Sequence, residues 1–248
     1  MRVVRRMGWT LVGAGLLIFA FLGYQLWVTT LLTARAQDRL EVDLAARLAE
    51  VETVAVQLPT TVADDPTMAG SPETTVPPQE PLAVPGVELL AEPAPLEGAP
   101  LGHLIIPEAG VDHVMVEGVG GADLRKGPGH MPWTPLPGQP GNAVVSGHRT
   151  TYGAPFWDLN LLEPGDDIFV ETAVGRHVYE VRELLVVAPT DVWVTDPRPG
   201  AWLTLTTCNP RFSAAERLIV FAEMVDGPNH PYVEKLLASA TQYPASSS

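Results

Sequence analysis

The sequence predicts an all-β domain over 101–226, set behind a membrane-spanning helix and a disordered linker. Three observations predict it. Between Leu101 and Asp226, short β-branched and apolar runs alternate with Gly/Pro turns, the pattern of a closed or sandwiched β-fold. From Met7 to Ala34 the chain carries no charge and is dominated by Leu, Val, Ile, Phe and Ala. Between these regions, 52–100 holds ten of the 25 prolines and no Lys or Arg. That composition makes an extended, proline-stiffened linker.

In chain order, Arg2, Arg5 and Arg6 mark 1–8 as a cytoplasmic N-terminus. Residues 9–32 follow as the transmembrane helix, since about 20 apolar residues cross the hydrocarbon core. Trp9, Tyr24 and Trp27 are available as interface anchors. Ala34-Arg35-Ala36 has the small-x-small form of a cleavage site. However, the apolar run exceeds the roughly 7–15 residues of a signal peptide, so an uncleaved anchor is the expected reading. The arginines before the span favour a single pass with the N-terminus inside and the bulk of the chain outside, in the cell membrane. Leu40, Leu44, Leu48 and Val51 recur at near-helical spacing, which makes 33–51 a helical stalk. The 52–100 linker, fully stretched, spans on the order of 100 Å.

The net charge is −14, and thirteen Asp/Glu with no Lys or Arg lie between Leu48 and Leu124. Such a chain does not attract nucleic acid. Candidate strands are Gly102–Ile106, His113–Glu117, Ala143–Ser146, Asp167–Thr172, Arg176–Val187, Trp202–Thr207 and Arg217–Met224, with a short helix over Phe156–Leu162. The tail, 227–248, carries a weak helix around Val233–Ala240 and is expected to be loosely held.

Cys208 is the only cysteine, which excludes an internal disulfide. It leaves an inert thiol, an intermolecular bridge or a nucleophile. The strand Trp202–Thr207 leads into it, and Asn209-Pro210 breaks the strand after it, because proline has no N–H for a ladder. Arg217 opens the next strand nine positions later. An antiparallel pair would bring thiol and guanidinium together. Among six histidines, His148 follows the apolar strand Ala143–Val145 through Ser146-Gly147, at a strand end where active-site groups often lie. No His pair has helical zinc spacing, and Cys-x-x-Cys, EF-hand, phosphate-loop and Gly-x-Ser-x-Gly patterns are missing. No metal or other cofactor is expected. The remaining set is Cys208, His148 and Arg217. It has a chemical logic: neighbouring cations favour a thiolate, arginine can face an oxyanion, and histidine can protonate a leaving amine.

Thr204-Leu205-Thr206-Thr207-Cys208-Asn209-Pro210, with Arg217 after Ser213-Ala214-Ala215-Glu216, resembles the cysteine and arginine strands of sortases. Gly127-Pro128-Gly129-His130-Met131-Pro132 and the run from Gly138 to Phe156 resemble class E sortases of high-GC Gram-positive bacteria. The likeness covers about Gly102 to Glu223. It implies an eight-stranded sortase-type β-barrel with short helices and a cysteine transpeptidase or hydrolase using His148, Cys208 and Arg217. It implies cleavage between Thr and Gly of a C-terminal Leu-Pro-x-Thr-Gly or Leu-Ala-x-Thr-Gly motif, then transfer to a peptidoglycan amine. Partners would be secreted proteins bearing that motif and a peptidoglycan precursor. Substrate contacts would involve Met131, Thr207, and Thr190 and Trp193 in the loop from Ala188 to Gly200. Met131 departs from the tyrosine usual at its position in that class. Leu58-Pro59-Thr60-Thr61 lacks the glycine and any following apolar span with a basic tail, so it is a linker coincidence. Two other readings stay open: an L,D-transpeptidase-like wall enzyme, and a non-enzymatic wall-anchored binding module with an inert thiol.

Overall fold

The computed structural model describes residues 2–24, 28–56 and 87–242. The Leu58–Thr61 segment, Trp27 and the central part of the expected linker lie outside them. Two long helices come first, α1 (Arg2–Gly23) and α2 (Thr29–Glu50). The window Val4–Phe21 of α1 has a mean hydropathy of 1.3 and no buried residue. It is long and apolar enough to cross a membrane.

Two three-residue strands, β1 (Val54–Val56) and β2 (Leu89–Ala91), form an antiparallel ribbon. Eight further strands follow: β3 (Pro100–Ile106), β4 (Val111–Glu117), β5 (Gly129–His130), β6 (Gly141–Ser146), β7 (Asp167–Glu171), β8 (Arg176–Val187), β9 (Ala201–Asn209) and β10 (Glu216–Asp226). They close into a barrel in the order β10-β8-β7-β3-β4-β5-β6-β9. The β4–β5 and β6–β9 pairs are parallel, and all others are antiparallel. Short α3 (Gly121–Leu124) and C-terminal α4 (His230–Gln242) complete the elements. The expected eight-stranded barrel is therefore present.

Seven strands lie where β-branched and apolar runs and turn chemistry predicted them. The eighth, β5, is two residues long and carries no apolar run. The expected helix at Phe156–Leu162 is instead a single 3-10 turn at Leu159–Leu161. Its apolar spacing serves the core, because Phe156 and Leu159 are fully buried there with Leu104, Val145, Leu203 and Leu205.

Strand β6 is buried on both faces. Ala143 and Val145 point into the core. On the other face Asn142 accepts from Thr204 Oγ1 (2.6 Å) and donates to the carbonyls of Val194 (3.1 Å) and Asp196 (3.0 Å). One buried amide thus ties the 188–200 loop to the barrel, satisfying groups that would be costly unpaired.

The expected stalk, 33–51, coincides with α2 except at Val51, which is extended, and this helix lies on the barrel. Leu40 and Leu44 pack on Val114 and Val116, while Arg47 bonds Glu92 (2.8 Å) and the Leu101 carbonyl (3.0 Å). The C-terminal part of the expected linker is likewise held. Asn229 pairs with both backbone groups of Leu90 (2.9 Å each).

Candidate active site

The site is assembled by register. β6 and β9 run parallel with unbroken pairing from Gly141↔Ala201 to Ser146↔Thr206. The alignment continues past the last rung: Gly147 N donates to Thr206 O (3.1 Å), and Thr207 Oγ1 donates to Gly147 O (2.7 Å). One residue further, His148 stands level with Cys208. On the other side of β9, Cys208 pairs directly with Arg217 of β10. Neighbouring strands lie about 4.8 Å apart, and residues level across them share a face. So Cys208 and Arg217 are paired on adjacent strands, and the β6–β9 register, carried two residues past the end of β6, sets His148 beside them at one end of the barrel. All three are partly exposed.

Local chemistry sets this arrangement. Pro210 ends β9 just past the thiol, since proline cannot extend the ladder. Gly147 lets the His148 loop fold back, because a Cβ there would run into the Phe156 ring. Burial lowers the pKa of His148, and the Arg125 charge lowers it further. The Arg217 guanidinium donates from Nη1 to the carbonyls of Ala214 (3.0 Å) and Glu216 (2.9 Å).

A groove of about 170 Å³ lies beside this cluster. Met131, Val187, Pro189, Val192, Val194 and Ile219 make it largely apolar, and Ser146, Thr206 and Arg217 also line it. Ser146 and Thr206 are each two residues before His148 and Cys208. Met131 thus stands in the groove. Thr190 and Trp193 belong to the loop that walls it but do not line it; Trp193 packs on Phe221 instead (6.3 Å between centroids). Thr207 is buried and bonded to Gly147, so its side chain holds the histidine strand rather than facing the groove.

Arg149, directly after His148, is only 5 % exposed. Its guanidinium reaches Cys208 O (3.3 Å), Asn209 Oδ1 (2.9 Å), Asn160 Oδ1 (2.7 Å) and Trp157 O (3.3 Å). Burial and Arg211 lower its pKa, while Asp158 and Cys208 oppose them. Arg149 therefore clamps the loop after His148 to the end of the cysteine strand. Arg211 doubles the clamp through Trp157 O (3.0 Å) and Asp158 (2.7 Å). The only signal in the sequence was a base directly after the histidine.

The family model described as "Sortase domain" matches residues 104–225. The chain is 44% identical over 95 residues to sortase SrtE1 of Streptomyces coelicolor, a match covering 35% of this chain and 27% of that protein. It is 34% identical over 136 residues to sortase D of Bacillus subtilis, covering 53% of this chain and 67% of that one. Among solved structures, sortase E1 of Streptomyces coelicolor with a tripeptide in the active site aligns at 36% identity and a TM-score of 0.50. That alignment covers 52% of this chain and 90% of the other.

Proposed function

The chain belongs to the sortase family of cysteine transpeptidases, and from that premise we propose that it is a class E-like, membrane-anchored enzyme. It cleaves a Leu-Ala-x-Thr-Gly or Leu-Pro-x-Thr-Gly sorting motif between Thr and Gly and joins the new carboxyl end to a peptidoglycan amine. The observation that carries this reading is the strand register that gathers His148, Cys208 and Arg217 beside an apolar groove lined by Arg217.

In this chemistry His148 acts first as a base and then as an acid. Neutral His148 takes the thiol proton as Cys208 Sγ attacks the threonine carbonyl, forming the C–S bond and an oxyanion. Arg217 faces that oxyanion. Its carbonyl contacts both fall on Nη1, so the Nε–Nη2 edge keeps its donors for the developing charge. The imidazolium then gives its proton to the glycine nitrogen as the C–N bond breaks, leaving a thioester on Cys208. In the second half, His148 accepts a proton from the incoming amine, and the thiolate leaves as the new amide forms. The groove takes the apolar side chain of the motif's leucine, with Met131 at its wall. α1 anchors the enzyme in the membrane, with Arg2, Arg5 and Arg6 inside and the barrel outside.

The test uses the full chain in detergent with a peptide containing Leu-Ala-Glu-Thr-Gly and a glycine oligomer. Mass spectrometry should find the ligated product and, when acceptor is left out, a thioester on Cys208. Absence of both with the alanine and the proline forms of the motif would refute the proposal.

A further inference from the structure

Helix α2 reaches the loop that carries His148. Its inner face, Thr29, Thr33, Gln37, Leu40 and Leu44, is buried. Thr33 Oγ1 donates to the Arg125 carbonyl (2.8 Å). Gln37 acts like a short strand. Its Nε2 donates to Val114 O (3.0 Å) and Lys126 O (2.8 Å), and its Oε1 accepts from Val114 N (2.8 Å). The Arg125–Lys126 backbone is thus fixed to the helix at two successive carbonyls. Buried polar groups satisfied in this way specify one docking geometry, since any slip leaves them unpaired.

Two contacts lead from there to the imidazole. The Arg125 guanidinium lies 5.6 Å from the centroid of the Tyr152 ring. The Tyr152 ring lies 5.0 Å from that of His148, tilted by 38°. The turn holding Tyr152 is strained. Tyr152 (φ 52°), Gly153 (φ 75°) and Ala154 (φ 47°) are all left-handed. Each non-glycine residue there costs about 1 kcal/mol or more, so the surroundings must hold the turn. The helix is part of those surroundings: a Cβ on Gly153 would sit 3.3 Å from Thr33 Cγ2.

We propose that α2 is a working part of the catalytic unit, and that Arg125 and Tyr152 are positioning residues through which it fixes the His148 imidazole. This rests on reading His148 as the acid–base group. Arg125 comes from the turn after α3, and Tyr152 from the loop of His148 itself. Cys208 and Arg217 stand level on β9 and β10. The Arg149 guanidinium is turned away to Cys208 O, Asn209 and Asn160. Of these groups, Arg125 is the cation that lowers the pKa of His148, after burial.

The experiment uses the full chain in detergent and two readouts. One is the NMR titration of the His148 ring, assigned by its loss in His148→Gln. The other is the pH profile of thioester formation on Cys208. Arg125→Gln should raise the His148 midpoint and move the acid limb with it. Tyr152→Ala should slow acylation about tenfold and shift the same limb. Tyr152→Phe should restore both, because the ring and not the hydroxyl makes the contact. Thr33→Val, a near-isosteric change that keeps the fold, should slow acylation about threefold. An unchanged His148 midpoint and acid limb in both Arg125→Gln and Tyr152→Ala would overturn the proposal, as would equal losses in Tyr152→Phe and Tyr152→Ala. Full acylation by His148→Gln would instead overturn the catalytic reading of His148; the ring titration separates the two failures.

Discussion

At the end of the barrel where β8 begins and β10 finishes, polar side chains are buried and matched to the backbone. The Tyr179 hydroxyl accepts from Gly138 N (2.6 Å). Asn229 donates to Leu90 O and Gly138 O and accepts from Leu90 N, all at 2.9 Å. His177 is fully buried beside Gly138 and Gly227. At the opposite end, where β9 finishes and β10 begins, the groups are half exposed. His148, Cys208 and Arg217 face outward there, and Phe212 is 75% exposed. The same two strands, β8 and β10, thus run from a sealed end to an open one. The sealed end satisfies most of its polar atoms within the fold, although His177 Nδ1 is buried without a hydrogen-bond partner. The open end keeps donors and a thiol for something outside it.

The comparison can be broken most sharply at the open end. Cys208→Ala and His148→Ala should each lower ligation by at least about a thousandfold. The melting temperature should stay within a few degrees, because neither side chain fills the core. Ligation kinetics beside a thermal melt would check both halves, and surviving turnover in either variant would remove that residue from the chemistry. Arg217→Lys should cost about a hundredfold, since an ammonium lacks the guanidinium fork. Near-normal rates would exclude the oxyanion role.

The sealed end should respond in the opposite sense. Asn229→Ala takes its partner from Leu90 N and from Gly138 O, while Leu90 O keeps Gln139 Nε2 (2.8 Å). It should cost about 2–3 kcal/mol in urea unfolding, while turnover per folded molecule stays unchanged. A loss of turnover without a loss of stability would mean that the two ends are not independent.

The smallest effect is a pH dependence from His177, whose pKa burial pushes down to about 4. Above the ordinary value of 6.5 the folded and unfolded states are both neutral there, and stability is full. As pH falls from 6.5 toward 4, only the unfolded state takes up the proton, so stability is lost. Between pH 7 and pH 5 this amounts to about 2 kcal/mol. His177→Leu should flatten that part of the urea profile; an unaltered slope would assign the acid sensitivity elsewhere.

Much of the barrel was legible, because short β-branched and apolar runs and Gly/Pro turns are local signals. Strand β5 was not, since Gly129-His130 becomes a strand only by pairing with Val116-Glu117 and Val145-Ser146. The Phe156–Leu162 segment misled in the other direction. Its apolar spacing fits a helix, but Arg149 and Arg211 both take the Trp157 carbonyl that a helix would use. In the site, Cys208 and Arg217 were readable as strand, break and strand. Met131 could be placed near the groove, whereas Arg149, Arg125, Tyr152 and Asn142 could not be given roles. Their partners lie on other elements, and a lone arginine or asparagine in sequence says nothing of what it will bond.

By itself, the sequence determined where seven of the barrel strands lie, that the N-terminal run can span a membrane, and that one thiol ends a strand nine residues before an arginine. These depend on covalent order and nearest neighbours. Only the tertiary structure decided that β6 lies beside β9 in parallel and sets His148 level with Cys208. It alone decided that α2 and Leu90 are bolted to the barrel. Such pairings join residues tens of positions apart, and they are chosen by burial and hydrogen bonding over the whole fold.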